Sequence, residues 1–148
     1  MPSFSKRSRE RLQTCHPDLQ EIFNEVIKHF DCSVLCGFRT KEEQNEWYAK
    51  GTSKLPWPKS KHNKAPSLAV DVAPYPYNPR DIDRFYFFAG IVIQTATTLL
   101  KDKRISHAIR WGGDWDGDTD LKDNRFNDLA HFELITDGRV PSFLKHYI

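Results

Sequence analysis

His62, Asp71 and His131 are the residues of this chain best suited to hold a divalent cation, and Asp128 and Glu133 set two further carboxylates beside the last of them. Neutral imidazole and carboxylate match the borderline softness of zinc. Three protein ligands that leave a fourth position open make a hydrolytic centre, because a water in that position ionises near neutral pH. Such a centre needs a general base within reach of the water. Asp128, three residues before His131, is one candidate, and Glu133 is its rival.

Taken singly, each residue has an ordinary explanation. His62, flanked by Lys61, Asn63 and Lys64, reads as an exposed loop histidine. Asp71 is harder to explain away, because it interrupts the apolar run from Leu68 to Ala73 and a carboxylate in a buried strand needs a partner. His131 and Glu133 alternate with Ala130, Phe132 and Leu134, so both share one face of a strand. A strand with one face in solvent gives the same alternation. His29 falls at a helix end, where its charge suits the dipole. His16, His107 and His146 have no acidic neighbour at ligand spacing.

The elements that must position these groups follow from periodicity and punctuation. Pro17 to His29 has helical spacing of apolar residues, and Ser33 to Cys36 reads as a short buried strand ending at Gly37. Thr40 and Glu43 form a capping box for a second helix that closes near Gly51. Residues 52 to 67, with Pro56, Pro58 and Pro66, make an irregular surface loop. Strand character returns over Leu68 to Ala73, His107 to Trp111 and His131 to Ile135. The longest helix, largely buried, spans Asp81 to about Leu100. Gly112 to Asn127 is a loop, and Val140 to Ile148 closes the chain as a short helix or turn. The expected class is α+β, a small antiparallel sheet covered by helices on one side.

Length and composition set outer bounds. A chain of 148 residues with 39% apolar content supports a single domain over residues 1 to 148. A net charge of +2 is far from that of a dedicated nucleic-acid binder. Cys15, Cys32 and Cys36 are an odd set without an apolar leader, which predicts free thiols and a reducing cytosol. Cys32 and Cys36 read as small apolar residues of a strand rather than as a zinc pair. No window is apolar enough for a membrane span.

Four separated motifs carry a family resemblance. Ser60-x-His62, Ala69-Val70-Asp71 and Asp128-x-x-His131-Phe132-Glu133 resemble the signature of the zinc metallopeptidases that include D-Ala-D-Ala carboxypeptidases, vancomycin-resistance dipeptidases and phage L-alanyl-D-glutamate endolysins. Cys36-Gly37-Phe38-Arg39-Thr40, with Glu43 and Gln44, resembles that family's Ser-Gly-Tyr-Arg-Thr segment. Arg110 to Trp115 resembles the tryptophan-glycine segment of the endolysin branch. The match covers about residues 15 to 136.

The resemblance implies a fold like that of the hedgehog and D-Ala-D-Ala peptidase domains, with zinc in the cleft on His62, Asp71 and His131. It implies Asp128 as the base, Arg39 as the oxyanion stabiliser, and substrate contacts from Ser60, Gln44, Trp111 and Glu133. The implied partner is the peptidoglycan stem peptide, cut between L-alanine and D-glutamate by a monomer. That enzyme stays in the host bacterial cytoplasm until a holin lets it reach the wall, and it lyses the host. A D-Ala-D-Ala carboxypeptidase and a non-catalytic zinc-containing binding domain are the alternatives. The chain departs from the family in the longer spacing between His62 and Asp71 and in Ser67, where a glycine often stands.

Asp114, Asp116, Asp118, Asp120 and Asp123 crowd one loop with Gly112, Gly113 and Gly117. Such an oxygen-rich cluster suits calcium, although EF-hand spacing fails at Thr119 and Arg125. Aspartates that cap turns give the same composition. The expectation carried forward is a calcium ion that orders this loop beside Asp128.

Overall fold

In the computed structural model, which describes residues 1 to 145, the strands that carry the predicted ligands are the inner pair of one sheet. Strands β1 (Cys32–Cys36), β2 (Ala69–Pro74), β3 (Ile109–Trp111) and β4 (His131–Leu134) lie in the order β1-β2-β4-β3, with every neighbouring pair antiparallel. Asp71 stands directly opposite His131, Val70 opposite Phe132 and Ala69 opposite Glu133. Since successive side chains alternate between faces, this register gives Asp71, His131 and Glu133 one face and Val70 and Phe132 the other.

Helices cover the apolar face, as the α+β expectation requires. The helices are α1 (Lys6–Leu12), α2 (Pro17–Val26), α3 (Lys41–Ala49) and α4 (Ile82–Lys101); α2 and α4 pack on that face, while α3 sets Gln44 and Trp47 against Arg39 on the cleft side. Phe23 of α2 and Phe88 of α4 meet Phe132 edge-on, with ring centroids 5.5 and 6.2 Å away, and all three rings are fully buried. Each such ring contributes about 2 kcal/mol through burial. The predicted capping box of α3 is present, Thr40 accepting from the Glu43 amide and Glu43 from the Thr40 amide.

Two features differ from the sequence expectation, and a third meets it. Helix α1 has no apolar periodicity, because only Ser8 and Leu12 of it are buried and Ser8 is polar. Ser8 Oγ accepts from the Val34 amide at 3.0 Å and Arg11 donates to the Val34 carbonyl at 3.0 Å, so α1 satisfies the outer edge of β1. Helix α2 stops at Val26 and continues only as a turn to Phe30. The predicted closing element is a 3-10 turn at Ser142–Leu144, and 146 to 148 lie outside the described residues.

His107, expected to lack an acidic neighbour, has one from across the chain. Asp18 Oδ2 accepts from the Ser106 amide (2.9 Å), the His107 amide (3.1 Å) and His107 Nδ1 (2.7 Å). His16 stands close by, its Nδ1 accepting from the Asp18 amide at 3.0 Å to cap α2. One Asp18 oxygen thus takes three donors, and the group ties α2 to the segment before β3. Burial alone would raise the Asp18 carboxyl, but the His107 and Ser106 hydrogen bonds outweigh it and hold it below its ordinary value. The stabilisation is therefore complete above the unfolded pKa of about 3.9 and is lost as pH falls through the lower folded value. Asp18→Ala strands two backbone donors and is expected to cost about 2 kcal/mol in urea unfolding at neutral pH.

Candidate active site

The polar face of the inner strands forms the floor of a cleft of about 600 Å³. Residues 52 to 61 line one side of it and residues 126 to 128, with Trp115, the other. Asp71 Oδ1 lies 3.3 Å from His62 Nε2 and 3.3 Å from His131 Nδ1. His62 is not an exposed loop histidine. It sits in a 3-10 turn (Lys61–Asn63) that Ser60 caps, and it is 2% exposed.

Each imidazole is fixed by the nitrogen that faces away from Asp71. His62 Nδ1 donates to the Gly37 carbonyl at 2.8 Å, and His131 Nε2 donates to Glu133 Oε1 at 2.9 Å. Glu133 is held in turn by Lys61 at 2.8 Å and Arg110 at 3.2 Å. These partners fix each ring and turn its other nitrogen toward Asp71. His62 Nε2 and Asp71 Oδ1 are buried and make no hydrogen bond. Buried polar atoms left unpaired are costly, and these two, with His131 Nδ1 also 3.3 Å from Asp71 Oδ1, suit a cation.

The protonation state fits the same picture. Burial would lower the His62 imidazolium, but the Asp71 carboxylate outweighs it and pushes the group up to about 10. Burial would raise Asp71, yet His62 and His131 hold it far below the usual carboxylate range. Burial would likewise raise Glu133, and His131 with Lys61 brings it down to about 2. The metal-free site thus keeps a proton where a cation would sit.

Asp128 closes the group from the loop before β4, its Oδ2 3.9 Å from His131 Nδ1, with half of its side chain exposed. Burial and the negative charge of Asp71 raise its carboxyl above the ordinary value, which makes it a stronger base. Its position depends on Gly112. The Asp128 amide donates to the Gly112 carbonyl and the Gly112 amide to the His131 carbonyl, both at 2.8 Å, and a Cβ on Gly112 would stand 2.1 Å from the Asp128 carbonyl oxygen.

Arg39 lies beside Asp71 rather than at the surface. It is 4% exposed, stacked 3.9 Å over Trp47, with Nη1 donating to Gln44 Oε1 at 2.8 Å and Nη2 3.6 Å from Asp71 Oδ2. Cys36 flanks it, with Sγ 3.7 Å from Arg39 Nη2. All three cysteines are free.

The expected substrate contacts divide. Ser60 lines the cleft, but its hydroxyl is engaged by the His62 amide. Glu133 also lines it and is occupied with His131. Gln44 is fully buried behind Arg39 and spends its amide nitrogen on Ser53 and the Leu55 carbonyl, so it does not reach substrate. Trp111 faces the core, its indole nitrogen bonded to the Leu129 carbonyl at 2.8 Å. The ring that does reach the cleft is Trp115 of the same motif, 5.3 Å from the His131 ring and 5.2 Å from Phe126. Trp115 lies four residues beyond Trp111 and outside β3, so strand alternation gave no signal that separates the two tryptophans.

The longer spacing between His62 and Asp71 is absorbed by pairing with the first helices. His16 donates to the Ser67 carbonyl and Ser67 to the Thr14 carbonyl, each at 2.9 Å, while the buried Ser67 hydroxyl donates to Ala69. In the acidic loop, Asp116, Asp118 and Asp120 each accept from the amide two residues on, and Asp114 Oδ2 accepts from Thr119. The turn-capping explanation therefore holds for most of them. Asp114, Asp116 and Asp118 also bring ligand atoms within 4.8 Å of one another, and the buried Asp114 Oδ1 has no partner.

Comparison with known proteins agrees with this arrangement. The model of the phage L-alanyl-D-glutamate peptidases matches residues 2–135. Among solved structures, the Serratia marcescens L-Ala D-Glu endopeptidase ChiX is similar at a TM-score of 0.67 and 25% identity, with 90% of each chain covered. No curated protein matches. With a matching fold and a family model that spans every residue of the cleft, the chain belongs to the phage L-alanyl-D-glutamate peptidase family and is an enzyme of that specificity.

Proposed function

We propose that the protein is a zinc-dependent endolysin in which His62 Nε2, Asp71 Oδ1 and His131 Nδ1 hold the metal. The observation that carries this reading is the pair of buried, unpaired ligand atoms on His62 and Asp71. Their spacing supports zinc, since tetrahedral ligands about 2.0 to 2.1 Å from that ion stand about 3.3 Å apart. Zinc bound there supplies a Lewis acid and a water acidified toward neutral pH. Asp128 takes the proton of the attacking water and passes it to the departing amine of D-glutamate. Arg39 lends positive charge to the scissile carbonyl as its oxygen becomes negative, and it holds the outer oxygen of Asp71. Trp115 and Phe126 give the peptide an apolar wall.

Glu133 is the positioning residue of this site rather than its base. Glu133→Gln is expected to weaken metal affinity about 10-fold to 100-fold in a competition titration with a chromogenic chelator. A calcium ion on Asp114, Asp116 and Asp118 would satisfy the unpaired Asp114 oxygen and brace the loop that leads to Asp128. Calcium added to chelator-stripped, zinc-restored enzyme is expected to raise activity, and a flat response removes this ion.

The biological setting follows the same reading. The chain works as one catalytic domain over residues 1 to 148, as a monomer, on peptidoglycan stem peptides. It accumulates in the host bacterial cytoplasm, reaches the wall with holin assistance and lyses the host, an antimicrobial action. Among the described residues no helix is long and apolar enough to cross a membrane. Mass spectrometry of fragments from purified peptidoglycan tests the cut. A new N-terminal D-glutamate and a free L-alanine carboxylate are expected, and release of D-alanine instead would contradict it.

A further inference from the structure

An L-alanyl-D-glutamate bond places a carboxylate at a definite point. Glutamate has two carboxyl groups, and the stem can continue through only one of them. Whichever carboxyl does not carry the next residue stays anionic unless it is capped, and in a γ-linked stem this is the α-carboxylate, on the same carbon as the scissile nitrogen. It must enter the cleft with the bond that is cut. The cleft floor offers it no free basic side chain, because Arg39 is matched with Asp71, and Lys61 and Arg110 with Glu133.

The loop wall of the cleft is different. Lys54, Lys59 and Lys61 all line it, together with the buried Arg39. Lys61 is paired with Glu133 at 2.8 Å, and Arg39 is committed to Gln44 and Asp71. Among the described residues, Lys54 and Lys59 have no carboxylate partner, and both are exposed. They are the cleft's uncompensated cations, carried on flexible stems that can follow a small anion. Lys50, in the same stretch of chain, is already paired with Glu46 at 2.7 Å and does not line the cleft.

We propose that Lys54 and Lys59 form the subsite for the free α-carboxylate of the D-glutamyl residue, so that the enzyme selects stems with D-glutamate over stems in which this carboxyl is amidated. The proposal rests on the peptidase reading above and adds the group that the loop recognises. It also orients the substrate, with the glutamyl side of the scissile bond toward residues 54 to 59 and the alanyl side toward Trp115 and Phe126.

The test uses two synthetic stem peptides that are identical except for a free α-carboxylate or an α-carboxamide on D-glutamate. Wild-type enzyme is expected to show a kcat/KM about tenfold higher for the carboxylate peptide, a difference near 1.4 kcal/mol. In Lys54→Met/Lys59→Met that preference falls to about one, with the loss in KM rather than kcat. Lys54→Arg/Lys59→Arg retains it, and Lys6→Met, on α1 and outside the cleft, retains it as well. Equal rates on both peptides in the wild type, or an unaltered preference in the Met variant, overturns the subsite while leaving the peptidase reading intact. Failure to cut either peptide overturns both.

Discussion

Asp128→Asn is expected to lower kcat by about two to four orders of magnitude while the protein still binds its metal. Asn has nearly the shape of Asp, and the metal ligands are supported elsewhere: His62 by Gly37, His131 by Glu133 and Asp71 by Arg39. The half-exposed Asp128 side chain stands only at 3.9 Å from His131 Nδ1. What the substitution removes is a carboxylate beside His131 whose pKa burial and Asp71 have raised. Metal content by atomic absorption and turnover on a soluble stem peptide check the two halves separately. Wild-type turnover in this variant would transfer the base role elsewhere, and loss of metal would make Asp128 a ligand.

Removing the metal is expected to abolish activity, and its affinity is expected to fall steeply with acid. His62, pushed up to about 10 by Asp71, holds a proton throughout the neutral range when no cation is present. Binding must expel that proton, so apparent affinity drops about tenfold for each pH unit below 10 per proton displaced. The sign for stability follows. The raised pKa gives the metal-free protein stability that is complete below the unfolded histidine value of about 6.5 and is lost as pH rises through about 10. The loaded protein gains in the opposite direction, by about 4 kcal/mol when free metal exceeds its dissociation constant a thousandfold. Thermal melts with and without zinc at pH 6 and pH 8 should therefore diverge more at pH 8. A pH-independent difference would remove His62 from the ligand set.

Much of the site was legible because its residues sit where patterns are strongest. Asp71 stood out as a charge inside an apolar strand, and His131 with Glu133 as a polar face on an alternating one. Helix α4 and the α3 capping box were visible for similar reasons of period and cap. Less legible were groups whose partners are remote in sequence. Asp18 and His107 are 89 positions apart, and nothing local joins them. Helix α1 packs through Ser8 and Arg11 with the single core residue Leu12, too little for an apolar stripe. Motif identity also failed to give direction. Gln44 and Trp111 belong to segments that reach the cleft, yet both side chains turn inward, while Trp115 turns toward His131.

The pairing of Asp71 with His131 across β2 and β4 has a practical consequence for handling the protein. A slip of one residue between these strands would send one ligand to the apolar face. Two of the three proposed ligands would then never meet, however compact the molecule became. The fraction of a refolded preparation able to take up stoichiometric zinc is therefore a titration of chains whose central strands have paired correctly, and it can grade such a preparation before any substrate is added.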